Sequence, residues 1–480
     1  MKKRIALLLL AVMLISLFSG CASGGKQTNL LDPKSPVSIT VWTYYNGAQL
    51  DAFNLLVDEF NETTGKEQGI FIESYSQGSV TDLENSVLDA VQGKAGAGDV
   101  PNIFAAYADT AYAVDQLGLA ADLSSYFTKE ELDSFIDSYI TEGQFDNDGS
   151  IKIFPVAKST EIFLLNKTDW DAFAEATGAK YADFATIEGL TATAQAYYEW
   201  TDSLTPEPND GRAFFGRDAM ANYFLIGAMQ LGTELFTIQD GKMELHFDKD
   251  VIRKIWDNYY VPYVKGYFAS SGRFRSDDVK TGNIISFVGS SSGATFFPNE
   301  VIVSDTESYE VEMEAFPCPQ FADGEPYAVQ QGAGMVVTQG TDAEVYASVQ
   351  FLKWLTEDER NIKFSVESDY MPVTKSANDI DVILSVQKDT TEVMKRILTN
   401  AISMVTGNTL YTPKAFQNGT TARNILEYSM SDLATADRAK VVENLNNGQT
   451  LEDASAAFTS DAYFDDWYNA TLQSLEALAG

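Results

Sequence analysis

The sequence VSITVWTYYNGAQLDAFNLLVDEFNE, residues 37–62, contains the first strand and the first helix of the predicted fold. Its opening part, residues 37–42, alternates polar with apolar side chains and is rich in β-branched residues, which is typical of a strand. The apolar side chains that follow recur at helical spacing, at Leu50, Phe53, Val57 and Phe60. We therefore predict a β-strand that leads directly into an amphipathic α-helix.

The alternation of strand and helix continues beyond this stretch. Strand-like apolar runs lie at residues 70–72 and 101–106. A helical pattern that Gly93 terminates separates them, with apolar side chains at Val80, Leu83, Val87 and Val91. A β-α-β-α-β order implies a mostly parallel, doubly wound sheet with helices on both faces.

Strand and helix patterns also cover most of the remaining chain. The run 161–166 is apolar over most of its length, and we predict a strand that is buried on both faces. Other strand-length runs lie at 151–155, 282–289 and 335–337, and helical patterns lie at 186–200, 218–231, 345–355 and 420–478. Asp342 is the predicted N-cap of the helix that contains residues 345–355. The sequence thus predicts an α/β protein.

The composition is that of a folded, acidic protein. Of the 480 residues, 45% are hydrophobic and 12% aromatic, and the formal net charge is −36. Such a charge repels nucleic acid and anionic membrane surfaces and favours a soluble monomer. The single histidine, His246, and the two cysteines, Cys21 and Cys318, argue against a His-based zinc site or a Ser-His-Asp triad. We therefore expect no metal site and no cofactor.

The N-terminus has the features of a secretory signal. Basic residues 2–4 precede an apolar run, residues 5–17, that is too short to span a membrane. Cys21 follows Ser19-Gly20 in a pattern that resembles a bacterial lipobox, although Phe18 stands where Leu is usual. This resemblance implies a signal peptide at 1–20, a lipidated Cys21 and a flexible tether at 21–36. The alternative is a plain signal peptide with a chance cysteine.

A series of short motifs, in order along residues 36–375, resembles the family 1 extracellular solute-binding proteins. These proteins are the lipoprotein receptors of bacterial ABC importers for carbohydrates. Asn102 stands where the family usually has Asp. The motifs, besides the first strand and helix, are the Gly-rich turn 96–103, the loop 117–123, the crossing segments 154–155, 164–167 and 309–319, the strand and turn 282–293, and the segments 331–334, 351–356 and 370–373.

The resemblance implies a two-lobed, type II-like periplasmic-binding-protein (Venus-flytrap) fold with the ligand cleft between the lobes. Lobe I would comprise residues 37–156 and 320–374, and lobe II residues 157–319 and 375–480. It implies a binding protein rather than an enzyme, with no catalytic residues. The protein would capture a mono- or oligosaccharide by lobe closure and deliver it to ABC transporter permease subunits. It would act at the extracytoplasmic face of the cell membrane, held there by its lipid.

The predicted ligand contacts on lobe I follow two of its strands. Sugars present CH faces that stack on aromatic rings and hydroxyls that need fixed donors and acceptors. Trp42, Tyr44 and Tyr45 lie at the end of the first strand, and Tyr107 and Asp109 follow the third. The alternatives are strand-end packing for the aromatic residues and turn capping for Asp109.

The predicted contacts on lobe II and at the crossings are mainly polar. Glu161 begins the buried strand, and could contact a ligand or pair with Lys158. Ser290, Ser291, Ser292 and Gly293 offer hydroxyls and backbone N–H groups, or else form a flexible loop. Gln331 and Gly332 combine an amide side chain with a backbone that a ligand can approach closely.

Two other functions remain open at this level. The same fold could bind an anionic solute such as glycerol phosphate, which requires cationic side chains in the cleft, with Arg217, Arg273 and Arg275 as candidates. A lipid-anchored glycoside hydrolase would use two carboxylates, and no pair is distinguished by the sequence.

Overall fold

The computed structural model describes residues 30–146, 148–239 and 242–478. The predicted signal peptide, Cys21 and most of the predicted tether lie outside these residues.

Strands account for the smaller part of the described chain. They are β1 (Val37–Thr43), β2 (Ile70–Ser76), β3 (Ile103–Ala106), β4 (Glu161–Asn166), β5 (Phe215–Arg217), β6 (Phe236–Gln239), β7 (Lys242–Leu245), β8 (Ser286–Ser290), β9 (Glu300–Ser304), β10 (Glu307–Glu310), β11 (Met313–Pro317), β12 (Tyr327–Val329), β13 (Gly334–Val337) and β14 (Thr409–Tyr411).

Helices make up most of the rest. They are α1 (Ala48–Glu62), α2 (Thr64–Gln68), α3 (Val80–Val91), α4 (Ala108–Asp115), α5 (Lys129–Ser134), α6 (Asp137–Glu142), α7 (Lys167–Thr177), α8 (Ile187–Asp202), α9 (Met220–Gln230), α10 (Lys249–Asp257), α11 (Tyr260–Lys265), α12 (Arg275–Lys280), α13 (Asp342–Leu355), α14 (Asp358–Glu367), α15 (Ile380–Val386), α16 (Glu392–Gly407), α17 (Gly419–Asn446), α18 (Leu451–Ser455) and α19 (Asp461–Glu476). None of the helices in the described segments combines the length and hydropathy that crossing a membrane requires.

The first lobe is built on a four-stranded sheet with the order β13-β3-β1-β2. β1 pairs in parallel with both β2 and β3, as the β-α-β-α-β pattern predicts. β13 arrives from much later in the chain and pairs antiparallel to β3. The helices α1, α13 and α14 pack against this sheet and each other, and bury a cluster of rings that includes Phe53, Phe60 and Phe351.

The second lobe is built on a sheet with the order β11-β4-β8-β5. Here β4 is antiparallel to both β11 and β8, and only β5 and β8 are parallel. The expectation of mostly parallel strands therefore holds for the first sheet alone. The reason is topological, because β4 lies between β8 and β11 and runs opposite to both, so that only the β5–β8 pair is parallel.

Strand β4 is the centre of the second lobe. All six of its residues are buried, which confirms the prediction of a strand covered on both faces. On one side α16 packs against β4 and β11, and the long helix α17 packs against α9 and α11. The aromatic residues of this lobe form one continuous core, in which Trp256 stacks on Tyr260 and meets Trp467.

Three local predictions differ from the structure. Residues 151–155 form no strand and make one isolated bridge, between Phe154 and Met335. The N-cap of α13 is Thr341 rather than Asp342, because the Thr341 hydroxyl reaches the Glu344 N–H and completes a capping box. The described end of the predicted tether is docked, since Leu31 packs on the first-lobe core and the Ser35 N–H donates to the Asp32 carbonyl at 2.9 Å.

The burial of β4 predicts the cost of truncating its side chains. Leu164 is 0% exposed, so Leu164→Ala should destabilise the protein by about 2–5 kcal/mol, from lost apolar burial and the cavity left behind. Leu204 is 63% exposed, and Leu204→Ala should change stability by less than about 0.5 kcal/mol. Urea unfolding followed by circular dichroism measures both. Equal effects would contradict the placement of β4 in the core.

Candidate functional site

Two cavities lie between the lobes. Cavity A has a volume of about 320 Å³, and its wall combines Glu84, Tyr107 and Asp109 of the first lobe with Asn222, Tyr411, Thr420 and Arg423 of the second. Cavity B is larger, about 1230 Å³, and is lined by Asn46, Arg273, Phe274, Ser290, Ser292, Gly293 and Phe296, among others. Gln331 lines both cavities. The cleft is thus a pair of compartments that meet at one side chain.

The first-lobe wall of cavity A carries the carboxylates of Glu84, Asp109 and Glu142 beside an aromatic ring. Tyr107 directly follows β3 and is 39% exposed, and Asp109 lies in the first turn of α4. Burial, with a smaller contribution from the charge of Glu84, raises the pKa of Asp109 to about 6, although Arg423 and the Thr420 hydroxyl oppose the rise. Burial also raises the pKa of Glu84. These carboxylates can accept hydrogen bonds from a ligand that replaces the lost water.

The second-lobe wall of cavity A is held by a chain of buried polar groups. Arg217 forms a buried ion pair with Glu161, whose other carboxylate oxygen accepts from the Asn222 amide at 2.8 Å. The Asn222 side-chain oxygen then accepts from the Arg423 guanidinium at 2.5 Å. Glu161 therefore does not line cavity A itself. It orients Asn222, and Asn222 in turn orients Arg423 in the cavity wall.

Among the described residues, side-chain hydrogen bonds join the lobes across the cleft. The Thr420 hydroxyl donates to the Asp109 carboxylate at 3.4 Å, and the Thr295 hydroxyl donates to the Asp369 carboxylate at 2.5 Å. At the first of these bonds a Cβ on Gly419 would lie 2.5 Å from an Asp109 oxygen, so a larger residue there would displace the Asp109 carboxylate. Both carboxylates belong to the first lobe and both hydroxyls to the second. The arrangement is a closed cleft.

Cavity B offers hydroxyls and exposed rings. The Ser290 and Ser292 hydroxyls lie 2.9 Å apart, at the end of β8 and just beyond it. Phe274 is 53% exposed and Phe296 is 74% exposed, which leaves both rings available for stacking. The Arg273 guanidinium lies 5.2 Å from the Phe274 ring centre.

Half of the predicted ligand contacts line a cavity. The structure places Tyr107, Asp109 and Gln331 on cavity A, and Ser290, Ser292, Gly293 and Gln331 on cavity B. It does not bring the other half to either wall, namely Trp42, Tyr44, Tyr45, Glu161, Ser291 and Gly332.

The three aromatic residues at the end of β1, Trp42, Tyr44 and Tyr45, pack against other residues of the first lobe. Tyr45 is 3% exposed and stacks edgewise on Phe53 and Phe364 inside the first lobe. The Tyr44 hydroxyl lies 3.2 Å from the Tyr370 hydroxyl, and Trp42 packs against the first-lobe core beside Gly98. These three residues therefore fit the alternative that the sequence analysis left open, which is packing at the end of the strand.

Ser291 and Gly332 hold the crossing segments together. The Ser291 hydroxyl accepts from the Thr160 N–H at 3.3 Å, and the Ser291 N–H donates to the Thr160 carbonyl at 2.8 Å. The Gly332 carbonyl accepts from Lys158 at 2.7 Å. Lys158 itself pairs with Glu142, and not with Glu161 as the alternative supposed.

The residues that sequence reasoning missed come mainly from α17 and the segment before it. Arg423 and Thr420 lie more than 300 positions from Asp109 in the chain, and no local pattern marks them as facing it. Phe274 lies between Arg273 and Arg275, the two neighbouring arginines that the sequence analysis considered for an anionic ligand. Of the three arginines considered for an anionic ligand, Arg217 pairs with Glu161 and Arg275 pairs with Asp278 and Asp218, and Arg273 lines cavity B.

No group of three or more His, Cys, Asp or Glu side chains suited to a metal occurs in the part of the chain that the structure describes.

Solved structures with the same fold cover nearly the whole chain. The cyclic α-maltosyl-1,6-maltose binding protein of Arthrobacter globiformis has 19% identity and a TM-score of 0.68, with 93% of this chain and 99% of that chain covered. UgpB of Mycobacterium tuberculosis, solved with glycerophosphocholine, has 17% identity and a TM-score of 0.65, with 92% and 99% covered. The substrate-binding protein Lmo0181 of Listeria monocytogenes, solved with cycloalternan, has 16% identity and a TM-score of 0.62, with 92% and 100% covered.

These likenesses establish the two-lobed fold of solute-binding proteins. No curated protein sequence matches the chain. A family profile described as bacterial extracellular solute-binding protein matches residues 56–391, which is more than half of the chain. With the closed interlobe cleft, this match shows that the chain belongs to the bacterial extracellular solute-binding proteins.

Proposed function

We propose that this protein captures a carbohydrate between its lobes and delivers it to the permease of an ABC importer. The observation that carries the proposal is cavity A, where an aromatic ring, carboxylate acceptors and a guanidinium donor face one another across the cleft. Sugars need that combination, because a ring can cover their CH faces while fixed polar groups satisfy their hydroxyls. Structural neighbours that are named as sugar-binding proteins support it.

Neutral sugars fit the charges of the cleft better than anions do. Cavity A is lined by Glu84, Asp109 and Glu142 as well as Arg423 and Lys414, so it has no excess of positive charge that would favour an anion. Two of the three arginines that an anionic solute would need are already paired with carboxylates. Glycerol phosphate therefore belongs in a binding screen as the competing ligand, and tight binding of it alone would favour the anionic-solute hypothesis.

Lobe closure would couple capture to delivery. A ligand that contacts both walls binds the closed form better than the open form, and so shifts the population towards it. The permease can then recognise the closed form, in which both lobes present one fixed surface. The strongly acidic body, with a formal net charge of −36, favours a monomer on which this surface stays free.

We also propose that Cys21 carries a lipid that holds the protein at the extracytoplasmic face of the cell membrane. The lipobox-like sequence at 17–21 and the basic and apolar segments before it support this. Stable anchoring by acyl chains follows from the free energy of burying methylene groups, about 0.8 kcal/mol each. Anchoring would keep the receptor close to its permease and raise its effective concentration there.

Replacing the exposed ring of cavity A should weaken carbohydrate binding. A glycan screen by thermal shift identifies a ligand, and calorimetry then measures its affinity. Tyr107→Ala should lower that affinity by about tenfold, which corresponds to about 1.4 kcal/mol of lost stacking. Tyr75 is 50% exposed on β2 outside both cavities, so Tyr75→Ala is the matched control and should bind like the wild type. A screen without any carbohydrate hit would contradict the proposed function.

Acid should favour closure in the absence of ligand. In the closed form burial raises the pKa of Asp109 to about 6 and also raises that of Asp369. Opening returns a carboxyl to water, where its pKa is near 4. The closed form therefore binds more protons between pH 4 and pH 6, and falling pH stabilises it relative to the open form.

Small-angle X-ray scattering at pH 8 and pH 5 measures this effect as a smaller radius of gyration at pH 5. The double variant Asp109→Asn with Asp369→Asn should be compact at both pH values, since it cannot ionise. Asp305→Asn, on the turn between β9 and β10, should keep the wild-type response. A wild-type radius that is the same at both pH values would show that these carboxylates do not control closure.

Removing the predicted lipid attachment should release the protein without affecting its ligand affinity. Cells that express Cys21→Ser should secrete the receptor in soluble form, because a hydroxyl cannot take the place of the thiol in the thioether that carries the lipid. Fractionation and immunoblotting follow the change, with Cys318→Ser as the control that stays membrane-bound. Retention of the Cys21→Ser protein in the membrane fraction would argue against lipid anchoring.

A further inference from the structure

Gln331 stands where the two cavities of the cleft meet. It is the one side chain shared by the walls of cavity A and cavity B as the described residues define them. Its backbone is fixed on both sides, because the Gln331 N–H donates to the Ser159 carbonyl at 3.0 Å and the Ser159 N–H donates to the Gln331 carbonyl at 3.0 Å. This antiparallel bridge between two crossing segments fixes the backbone from which the Gln331 side chain extends.

The side-chain oxygen of Gln331 is an unused acceptor. It is buried and has no hydrogen-bond partner among the residues that the structure describes. Buried acceptors of this kind are normally satisfied, by protein, water or ligand, because leaving them unpaired costs free energy. Rotation of the Gln331 amide by a half turn would bring this oxygen to the junction of the two cavities, where a ligand hydroxyl would satisfy it.

Both cavities have their own stacking surface. Cavity A has Tyr107, and cavity B has Phe274 and Phe296, all at least 39% exposed although aromatic. Cavity A alone, at about 320 Å³, lies at the lower end of the range of small-molecule sites, whereas cavity B exceeds that range. A single sugar unit in cavity A would leave the rings of cavity B uncovered.

We infer that the ligand is an oligosaccharide of at least two units that occupies both cavities and passes Gln331 at their junction. This inference rests on the proposed function and adds the length of the ligand to it. Units in cavity A would stack on Tyr107, and units in cavity B would stack on Phe274 and Phe296 beside the Ser290 and Ser292 hydroxyls. The Gln331 oxygen would accept a hydroxyl near the linkage between the two parts.

The test compares short and long members of a carbohydrate series. A thermal-shift screen uses glucose, maltose and maltotetraose, xylose, xylobiose and xylotetraose, and further mono- and oligosaccharides until a series binds. Calorimetry within that series should show at least tenfold tighter binding of the longer members than of the monosaccharide. A monosaccharide that binds as tightly as the longer members would overturn the inference and leave the proposed function intact.

Variants of cavity B test whether the long ligand occupies this cavity in addition to cavity A. The double variant Phe274→Ala with Phe296→Ala should lose about tenfold or more in affinity for the long ligand and keep its affinity for the shortest one that binds. Both rings are more than half exposed, so the variant should fold, and Phe71→Ala, with a ring 48% exposed outside the cleft, is the matched control. Unchanged affinity for the long ligand would refute occupation of cavity B, and absence of binding to every carbohydrate would refute the proposed function itself.

Discussion

The buried ion pair between Glu161 and Arg217 is the interaction on which the second lobe and the cleft wall both depend. Glu161 is 3% exposed at the start of β4, and Arg217 is 8% exposed at the end of β5. Burying two charges is costly, and such a pair persists only where further hydrogen bonds satisfy it. Asn222 supplies one of them, and the pair thereby ties β4, β5 and α9 to the guanidinium of Arg423 on α17. Loss of either charge would leave the other uncompensated and displace the wall of cavity A.

A second buried pair stabilises the crossing segments. Lys158 is 1% exposed, pairs with Glu142 and also donates to the Gly332 carbonyl, while Glu142 accepts from the Gln330 amide at 2.7 Å. The two pairs lie three residues apart on the same crossing, Lys158 pairing with Glu142 of the first lobe and Glu161 with Arg217 of the second. This crossing segment is therefore held by a buried ion pair at each end, and Ser159 and Thr160 between them are hydrogen-bonded to Gln331 and Val329.

The secondary structure followed from local patterns where those patterns were strong. The sequence alternates at 37–42, and uniform burial is expected at 161–166. In both runs each side chain is suited either to the core or to solvent but not to both, and the structure has strands at both places. The run 151–155 is as apolar, yet it forms only a bridge, because it passes between elements of the first lobe without a neighbouring strand along its length. Strand formation there needed a partner that local sequence does not specify. The residues at which the chain changes lobes stay predictions for the same reason.

Half of the ligand contacts that the sequence predicts line one of the two cavities. Tyr107 and Asp109 follow β3, and Ser290 and Ser292 lie at the end of β8. The rule that ligands bind beyond the carboxyl ends of strands can be applied from the local sequence alone. Tyr45 obeys the same rule but lies against Phe53 and Phe364, because α1 and α14 close over the end of β1. Arg423 and Thr420 could not be inferred, since only the packing of α17 against the second lobe brings them to Asp109. The sequence by itself determined the fold class, the buried strand β4 and the residues that end near the cleft. The tertiary structure decided which of them face it, because contacts across hundreds of residues set how each helix covers a strand end.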